Sequence, residues 1–270
     1  MPVLQVPGAG AVGYDDAGQG PVVVLIHGSP GTSHAWQPVG ARLAARFRVI
    51  APDLPGYRAT TRPVSDAPGD SSYAALLIEA VIGKVGEPAV LAGHSYGGVV
   101  ALITALRGRI KPRALALFEP VAVPMLAAAG ETEAFAAARD LFDRYAAAFE
   151  GGDREAIRLM VDYWFGGGTF DRMPTATREF LIAHTGHNVR DVRATFRDPY
   201  SLPGLRALKM RVLCAYGSRS PAVMVKIVEA IASHVHRGII KRLDQADHAM
   251  TATHPEAVAA LIAELADRSG

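Results

Sequence analysis

The residues best suited to chemistry are a serine and its flanking glycines, Gly93-His94-Ser95-Tyr96-Gly97. An apolar segment at 89–92 precedes this motif and another at 99–106 follows it, which predicts a strand, a tight turn and a helix. Glycine permits the strained backbone of such a turn because it has no Cβ. The turn would present the Ser95 hydroxyl beside a helix N-terminus, where negative charge is stabilised. We therefore predict that Ser95 is a nucleophile.

A serine nucleophile needs a base, and His248 is the best-placed candidate. It lies after the last predicted strand and before the helix predicted over 255–267. A neutral imidazole is the usual acceptor of a serine proton near neutral pH. A single loop histidine is more often a surface residue, but its position in the chain favours the catalytic interpretation.

Acyl transfer also needs about two donors for the developing oxyanion. The glycine-rich turn at 27–31 directly follows the apolar strand predicted over 22–26 and could present the backbone amide of Ser29. The amide of Tyr96, just after the nucleophile, is the second candidate, whereas Pro30 has no amide hydrogen. An ordinary strand-to-helix turn would also favour Gly and Pro here.

Apolar runs typical of buried strands recur along the chain and alternate with amphipathic helical patterns. The runs lie at 22–26, 48–51, 89–92, 114–118 and 211–215, with a weaker one near 239–243. This alternation predicts a doubly wound, mostly parallel α/β sheet. A hairpin near 3–6 and 11–14 should add antiparallel edge strands.

The alternation stops between residues 121 and 209, and this segment holds 11 of the 19 aromatic residues. Long excursions between sheet strands are often lids or caps. Most of these aromatics are expected to form the core of a helical subdomain, and a minority should line a pocket. Phe142 and Trp164 are pocket candidates, together with His94, although packing is the more common role for a residue in the position of His94.

Composition excludes several classes of protein. Half of the 270 residues are hydrophobic and the formal net charge is +2, which argues against disorder and against nucleic-acid binding. The uncharged stretch at 89–106 is interrupted by turn-forming residues, so no membrane span is predicted. No secretory signal is visible, and a cytoplasmic monomer or homodimer is expected.

Neither metal nor cofactor is expected. One cysteine, Cys214, cannot build a cysteine-based zinc site or an internal disulfide. The histidine pairs at 184 and 187 and at 234 and 236 lack a carboxylate or cysteine that would complete a recognisable ligand set.

The chain resembles the α/β-hydrolase superfamily of serine hydrolases over nearly its whole length. The matching segments are 27–31, 52–57 and 93–98, together with the late His248. The resemblance implies an α/β-hydrolase core over 1–120 and 204–270 and a helical cap over 121–203.

The resemblance also implies roles for individual residues. Ser95 would be the nucleophile and His248 the base, with the amides of Ser29 and Tyr96 forming the oxyanion hole. Relatives with an aspartate nucleophile, which include dehalogenases and epoxide hydrolases, carry it at the position of Ser95. Those two chemistries are therefore not expected.

The chain departs from the family at the acid of the catalytic triad. Relatives usually carry it after the strand at 211–215, but no Asp or Glu lies between 212 and 228. Some relatives carry it at the end of the preceding strand, where this chain has Glu119. That carboxylate could instead cap the first turn of the cap. Asp244, Asp247 and a Ser-His dyad without an acid stay open as alternatives.

Arg58 is a second departure from the family. Relatives commonly have a small Gly-x-Ser stretch after the Gly-Tyr pair that ends the segment 52–57, where this chain continues with Arg58. An arginine would be strained if the loop requires a positive φ at this position.

These features predict a cofactor-independent serine hydrolase that cleaves a small-molecule carboxylic ester or lactone with appreciable apolar surface. The same residues could serve C–C bond hydrolysis, amide hydrolysis or perhydrolysis. A ligand receptor and a cofactor-free oxygenase are alternatives from other functional classes.

Overall fold

The computed structural model describes residues 1–62 and 69–269, and its centre is an eight-stranded sheet within those residues. The strands are β1 (Val3–Val6), β2 (Gly10–Ala17), β3 (Val22–Ile26), β4 (Arg48–Pro52), β5 (Val90–His94), β6 (Ala114–Phe118), β7 (Arg211–Gly217) and β8 (Gly238–Leu243). Their order in the sheet is β1-β2-β4-β3-β5-β6-β7-β8.

The sheet is parallel from β4 to β8, while β1 and β2 form an antiparallel hairpin at one edge. This arrangement confirms the predicted fold class. The central strands are apolar on both faces because both faces are covered. In β3, Val24 and Ile26 pack into one hydrophobic cluster and Val23 and Leu25 into the other, on the opposite side.

Two layers of helices cover the sheet. The helices of the core are α1 (Gln37–Leu43), α2 (Ser72–Val85), α3 (Tyr96–Arg107), α11 (Ala222–Ala232), α12 (Met250–Thr253) and α13 (Pro255–Asp267). Buried residues of α2, α3 and α11 belong to one cluster, and those of α1 and α13 belong to the other. Helix α13 buries one apolar stripe against the sheet, whereas α3 is buried on all sides because ten consecutive residues from Tyr96 to Ala105 are covered.

A helical insertion connects β6 to β7. It consists of α4 (Pro124–Ala128), α5 (Thr132–Glu150), α6 (Ile157–Phe165), α7 (Thr169–Arg172), α8 (Thr175–Ala183), α9 (Thr185–Thr195) and α10 (Leu202–Ala207). Its buried side chains, such as Tyr145 and Phe170, join the cluster that contains α2 and α3. The domain boundaries at 121 and 203 stay predictions.

Two serines near helix starts donate to carboxylates and do not cap a helix. Residues Ser33–Trp36 form a 3₁₀ turn before α1, and the Ser33 hydroxyl donates to Asp15 at 2.6 Å. Helix α11 begins at Ala222, and the Ser220 hydroxyl donates to Glu119. In both places a buried or partly buried carboxylate competes for the hydroxyl.

The strand order reverses between β3 and β5, because the chain leaves β3 for β4 on one side and crosses to β5 on the other. Such a switch point opens a crevice at the carboxyl ends of the strands, where ligands bind in open α/β sheets. The glycine-rich loop after β3 and Ser95 after β5 lie on either side of this crevice. Among the described residues, no helix has the length and apolarity needed to cross a bilayer.

Candidate active site

Ser95 occupies a strained turn between β5 and α3. Its backbone has φ 55° and ψ −124°, a region that L-residues rarely adopt. Two glycines make the turn possible. A Cβ on Gly93 would lie 2.1 Å from the carbonyl oxygen of Gly97, and a Cβ on Gly97 would lie 2.2 Å from that of Ile26. The backbone segments approach so closely that no side chain fits between them.

Ser95, His248 and Glu119 form one hydrogen-bonded chain. Nε2 of His248 lies 3.0 Å from the Oγ of Ser95, and its Nδ1 lies 2.6 Å from Oε2 of Glu119. A carboxylate only accepts, so Nδ1 carries the hydrogen and Nε2 presents its lone pair to the serine hydroxyl. All three side chains are buried. The structure thus brings together the three residues predicted for the triad.

Glu119 is held as a carboxylate although it is fully buried. Burial alone would raise its pKa, but hydrogen bonds from His248 and Ser220 and from the amide of Gly217 outweigh burial and keep the pKa below its usual value. The Gly217 amide donates to Oε1 at 2.7 Å. Glu119 itself has φ 46°, so the backbone directly after β6 also adopts a conformation that is rare for residues other than glycine.

The other candidate acids lie elsewhere. Asp247 accepts a hydrogen bond from the amide of Ala249 at 2.8 Å, and Asp244 pairs with Arg242 at an exposed position. Neither carboxylate contacts the imidazole of His248 in the hydrogen bonds of the described residues. The helix α4 begins without a side-chain cap, so Glu119 does not cap the insertion.

His94 packs against His248. Its Nε2 donates to the backbone carbonyl of His248 at 2.7 Å, and the two rings have centroids 4.9 Å apart. Burial lowers the pKa of His94 to about 3, so the ring is neutral at neutral pH. His94 is absent from the described residues that line the cavity at Ser95. The structure therefore places it in packing contact with the base, because its side chain is directed at the loop of His248.

The loop after β3 lies directly beside the nucleophile. A Cβ built on Gly28 would lie 3.0 Å from the Cβ of Ser95. His27 anchors the loop, since its Nδ1 donates to the Gly28 carbonyl at 2.7 Å and its Nε2 accepts from the Leu54 amide at 2.9 Å. Within the described part of the chain, the amides of Ser29 and Tyr96 donate to no other group. Both amides thus remain available to a ligand.

A buried polar network surrounds the Ser29 side chain. Its hydroxyl donates to Oδ2 of Asp191 at 2.7 Å, and the Tyr57 hydroxyl lies 2.9 Å from the Oγ of Ser29. Nδ2 of Asn188 donates to the Ser29 carbonyl at 2.8 Å and lies 3.1 Å from its hydroxyl. Arg62 pairs with the other oxygen of Asp191 at 3.1 Å. The network links the insertion helix α9 to the core.

A small cavity of about 30 Å³ opens at Ser95. Its described lining is Ser29, Ser95, Tyr96, Val121, Phe142, Met160, Trp164, Asn188, Asp191, Val192, Thr195 and Phe196. Polar groups lie at the Ser29 end, and the aromatic rings of Phe142, Trp164 and Phe196 come from the insertion. Phe142 and Trp164 are therefore located where the sequence places them.

A larger cavity of about 730 Å³ lies outside this chamber, between the insertion and the core. Tyr96 and Asp191 contribute to the walls of both cavities, whereas Ser95 lines only the inner one. Size alone does not identify the reactive chamber. Of the two cavities, the inner one is the one that Ser95 lines.

Arg58 has φ 48°, so this residue carries the strain that the sequence suggests. Its guanidinium lies 3.3 Å from the carboxylate of buried Asp53 and 3.1 Å from that of Asp15. The arginine thus compensates a buried negative charge, which offsets the cost of its backbone conformation.

The histidine pair at 184 and 187 packs around Tyr57. His184 stacks on the tyrosine ring with centroids 5.5 Å apart, and His187 meets the ring edge at 5.6 Å. Among the described residues, no three side chains of the metal-binding types cluster together.

Sequence reasoning did not find Asn188, Asp191 or the role of Ser220. These residues carry no local motif, because their partners lie about a hundred or more positions away in the chain. One signal was available: polar side chains occur among the apolar positions of α9, and buried polar groups need partners.

Comparison with known proteins places the chain among relatives that share parts of its sequence. A segment is 41% identical over 86 residues to an uncharacterized protein of Mycobacterium bovis, covering 32% of this chain and 25% of that one. Another is 39% identical over 111 residues to the 2-hydroxy-6-oxo-2,4-heptadienoate hydrolase of Pseudomonas putida, covering 40% of each chain. The matched segments span between a quarter and two fifths of these relatives.

Similarity of structure extends over the whole chain. A thermophilic esterase from Thermogutta terrifontis superimposes with a TM-score of 0.69 at 22% sequence identity, covering 99% of this chain and 97% of that chain. At this identity the likeness shows the fold. The sequence pattern of the alpha/beta hydrolase family matches residues 23–261. The chain therefore belongs to the alpha/beta hydrolase family.

Proposed function

We propose that this protein is a serine hydrolase that cleaves carboxylic esters, including lactones, through an acyl-enzyme on Ser95. The observation that carries the proposal is the hydrogen-bonded chain from Glu119 through His248 to Ser95. This order of a carboxylate, an imidazole and a hydroxyl is what nucleophilic acyl transfer requires.

In the acylation step, the Oγ of Ser95 forms a bond to the carbonyl carbon while its proton moves to Nε2 of His248. The π electrons of the carbonyl move onto its oxygen, which becomes an oxyanion that the amides of Ser29 and Tyr96 stabilise. The C–O bond to the alcohol then breaks, and the alcohol leaves with the proton from His248. Glu119 stabilises the transient imidazolium without taking its proton.

Deacylation repeats these steps with water. His248 takes a proton from the water as its oxygen bonds to the acyl carbon. The oxyanion forms and collapses again, the bond to Ser95 breaks, and the serine oxygen recovers the proton from His248. The released acid carries the acyl group, so the net reaction consumes one ester and one water.

The walls of the inner cavity support an uncharged, partly apolar acyl group. Phe142, Trp164 and Met160 offer apolar surface to that group. Among the described lining residues, one side chain is acidic and none is basic. A substrate carboxylate would thus find no cationic partner beside Ser95.

The similarity to the heptadienoate hydrolase of Pseudomonas putida favours a second candidate, hydrolysis of a 2-hydroxy-6-oxo-dienoate. The same serine and histidine would serve that reaction. The described lining of the inner cavity has no basic side chain to pair with a carboxylate, so the neutral ester is the preferred substrate over the dienoate.

Labelling with a fluorophosphonate tests the proposal. We expect a single adduct, located by mass spectrometry on Ser95, and turnover of p-nitrophenyl esters that the adduct abolishes. The matched control is Ser95→Ala, which should fold but neither react nor hydrolyse esters. Folded wild-type protein with no adduct and no ester turnover would overturn the assignment. Turnover of the dienoate without ester turnover would replace it with the second candidate.

A further inference from the structure

We infer that Asn188, on the insertion helix α9, is a positioning residue. It holds Ser29 by the carbonyl and the hydroxyl of that residue, so that the backbone amide of Ser29 faces the oxyanion. This inference rests on the proposed serine hydrolase function and adds a residue to its machinery. It also assigns the insertion a part in catalysis beyond covering the site.

The contact that carries the inference joins a side chain of the insertion to the backbone of the glycine-rich loop after β3, at Ser29. Nδ2 of Asn188 donates to the carbonyl oxygen of Ser29 at 2.8 Å and to its hydroxyl at 3.1 Å. These two bonds use both hydrogens of the Asn188 amide nitrogen. They hold the Ser29 residue by its carbonyl and its side chain, while its own amide donates to no group in the described chain.

The orientation of Asn188 is itself fixed. The hydroxyl of Tyr145, a fully buried residue of α5, donates to Oδ1 of Asn188 at 2.8 Å. The oxygen of the amide therefore faces Tyr145, and the nitrogen faces Ser29. Only this orientation provides a donor to the Ser29 carbonyl.

The hydroxyl of Ser29 serves the same purpose. It donates to Oδ2 of Asp191 at 2.7 Å, so Tyr57, at 2.9 Å, must donate to it. With Asn188 as a second donor, its single hydrogen and both lone pairs are occupied. The hydroxyl is thus an anchor for the loop and has no remaining capacity to bind a substrate.

A direct role of Asn188 in binding the substrate is disfavoured by the same count. Asn188 lines the inner cavity, but Oδ1 accepts from Tyr145 and both hydrogens of Nδ2 are directed to Ser29. Its side chain can reach a substrate only by releasing Ser29. Removal of Asn188 should therefore weaken the binding of the transition state more than the binding of the substrate in its ground state.

The decisive experiment compares Asn188→Leu, which keeps the branched shape of the side chain and removes the donor, with Thr185→Val on the same helix. Thr185 is also buried, and within the described residues its hydroxyl donates to the Leu181 carbonyl of the insertion. Each protein is assayed for kcat and KM with p-nitrophenyl esters, for inhibition by an aryl trifluoromethyl ketone, and for Tm. The Oγ of Ser95 adds to the carbonyl carbon of the ketone. The carbonyl oxygen becomes an oxyanion, and the serine proton moves to His248.

We expect Asn188→Leu to lower kcat about tenfold to hundredfold with little change in KM, since a displaced donor costs less than the hundredfold or more of a deleted one. The inhibition constant of the trifluoromethyl ketone should rise by the same factor, because it reports the oxyanion. Thr185→Val should leave both unchanged. A purely structural role of Asn188 would lower Tm but move neither the ketone affinity nor kcat of the folded protein, and that result would overturn the inference.

Tyr145→Phe provides a second variant if Asn188→Leu does not fold. It keeps Asn188 but removes the donor that orients it, so we expect a smaller loss of kcat, about threefold to tenfold, matched by the ketone affinity. If kcat and the ketone affinity do not fall together in Tyr145→Phe, the inference is contradicted. If the wild-type protein itself neither turns over esters nor adds the ketone, the proposed function fails, and the inference fails with it.

Discussion

The indole of Trp164 lies nearly parallel to the imidazole of His248, with ring centroids 4.9 Å apart and 21° between the ring planes. Trp164 belongs to the insertion helix α6, whereas His248 follows the last strand of the sheet. The insertion thus covers the base directly. This stacking excludes water from one face of the imidazole and restricts its rotation.

Trp164 should therefore report on the state of the site. We expect covalent labelling of Ser95 by a fluorophosphonate to change the tryptophan emission, because the label enters the cavity that Trp164 lines. The change should vanish in Trp164→Phe. It should persist in Trp36→Phe, since Trp36 is buried against Phe118 on the other face of the sheet. Loss of the signal in Trp36→Phe instead would contradict this assignment.

Substitution of Glu119 tests which carboxylate orients the base. We expect Glu119→Gln to lower kcat by about a thousandfold or more, with KM little changed, because the imidazolium loses its charged partner. Asp247→Asn should retain activity near that of the wild type, since the hydrogen bond that Asp247 accepts within the described residues comes from the backbone amide of Ala249. Steady-state kinetics on folded variants decide the point. Equal losses in both variants would argue against Glu119 as the sole acid.

The side chain of Phe142 should set the length of the acyl group. Phe142→Ala enlarges a cavity of only about 30 Å³, so we expect p-nitrophenyl ester preference to shift toward longer acyl chains. Phe135→Ala removes the same ring from the same helix at a position that packs on Phe196 and does not line the cavity in the described chain. Its acyl-chain profile should match the wild type. An unchanged profile in Phe142→Ala would place the acyl group elsewhere.

His27 should make folding stability depend on pH. Burial lowers the pKa of His27 to about 4 in the folded protein, compared with about 6.5 in an unfolded chain. As the pH falls, the unfolded chain binds the proton first, so stability is fully present above about pH 6.5 and is lost progressively down to about pH 4. Stability should therefore fall on acidification throughout this window.

Replacing His27 tests this dependence. Between about pH 7.5 and pH 5, the free energy of unfolding should fall by about 2 kcal/mol more in the wild type than in His27→Gln. Urea denaturation at the two pH values measures this difference. If both proteins lose the same amount of stability, the imidazole is not held neutral by the fold.

Local patterns were sufficient to predict the fold and the tight turn that carries Ser95. The apolar strands and amphipathic helices have periodicities set by near neighbours, and the turn around Ser95 needs Gly93 and Gly97 within two positions of it. His248 was identified by its position after the last strand, which follows from chain order. These features can be read in sequence because the constraints that produce them are local.

Only the tertiary structure shows which carboxylate contacts the imidazole of His248. Glu119 and His248 are 129 residues apart, and their contact depends on the pairing of β6 with β7. That pairing places the Gly217 amide and Ser220 beside the carboxylate, where they stabilise its charge. In the sequence, Glu119 competes with Asp244 and Asp247, because strand pairing leaves no mark on the spacing of the residues.

The network around Ser29 shows the same limit more strongly. Asn188 and Ser29 are 159 residues apart, in two parts of the chain that share no motif. By itself, the sequence determined that a strained serine follows one buried strand and that a glycine-rich loop follows its neighbour. Only the packing of the insertion against the core decided which side chains fix that loop, because such contacts depend on the relative placement of whole elements and not on any local periodicity.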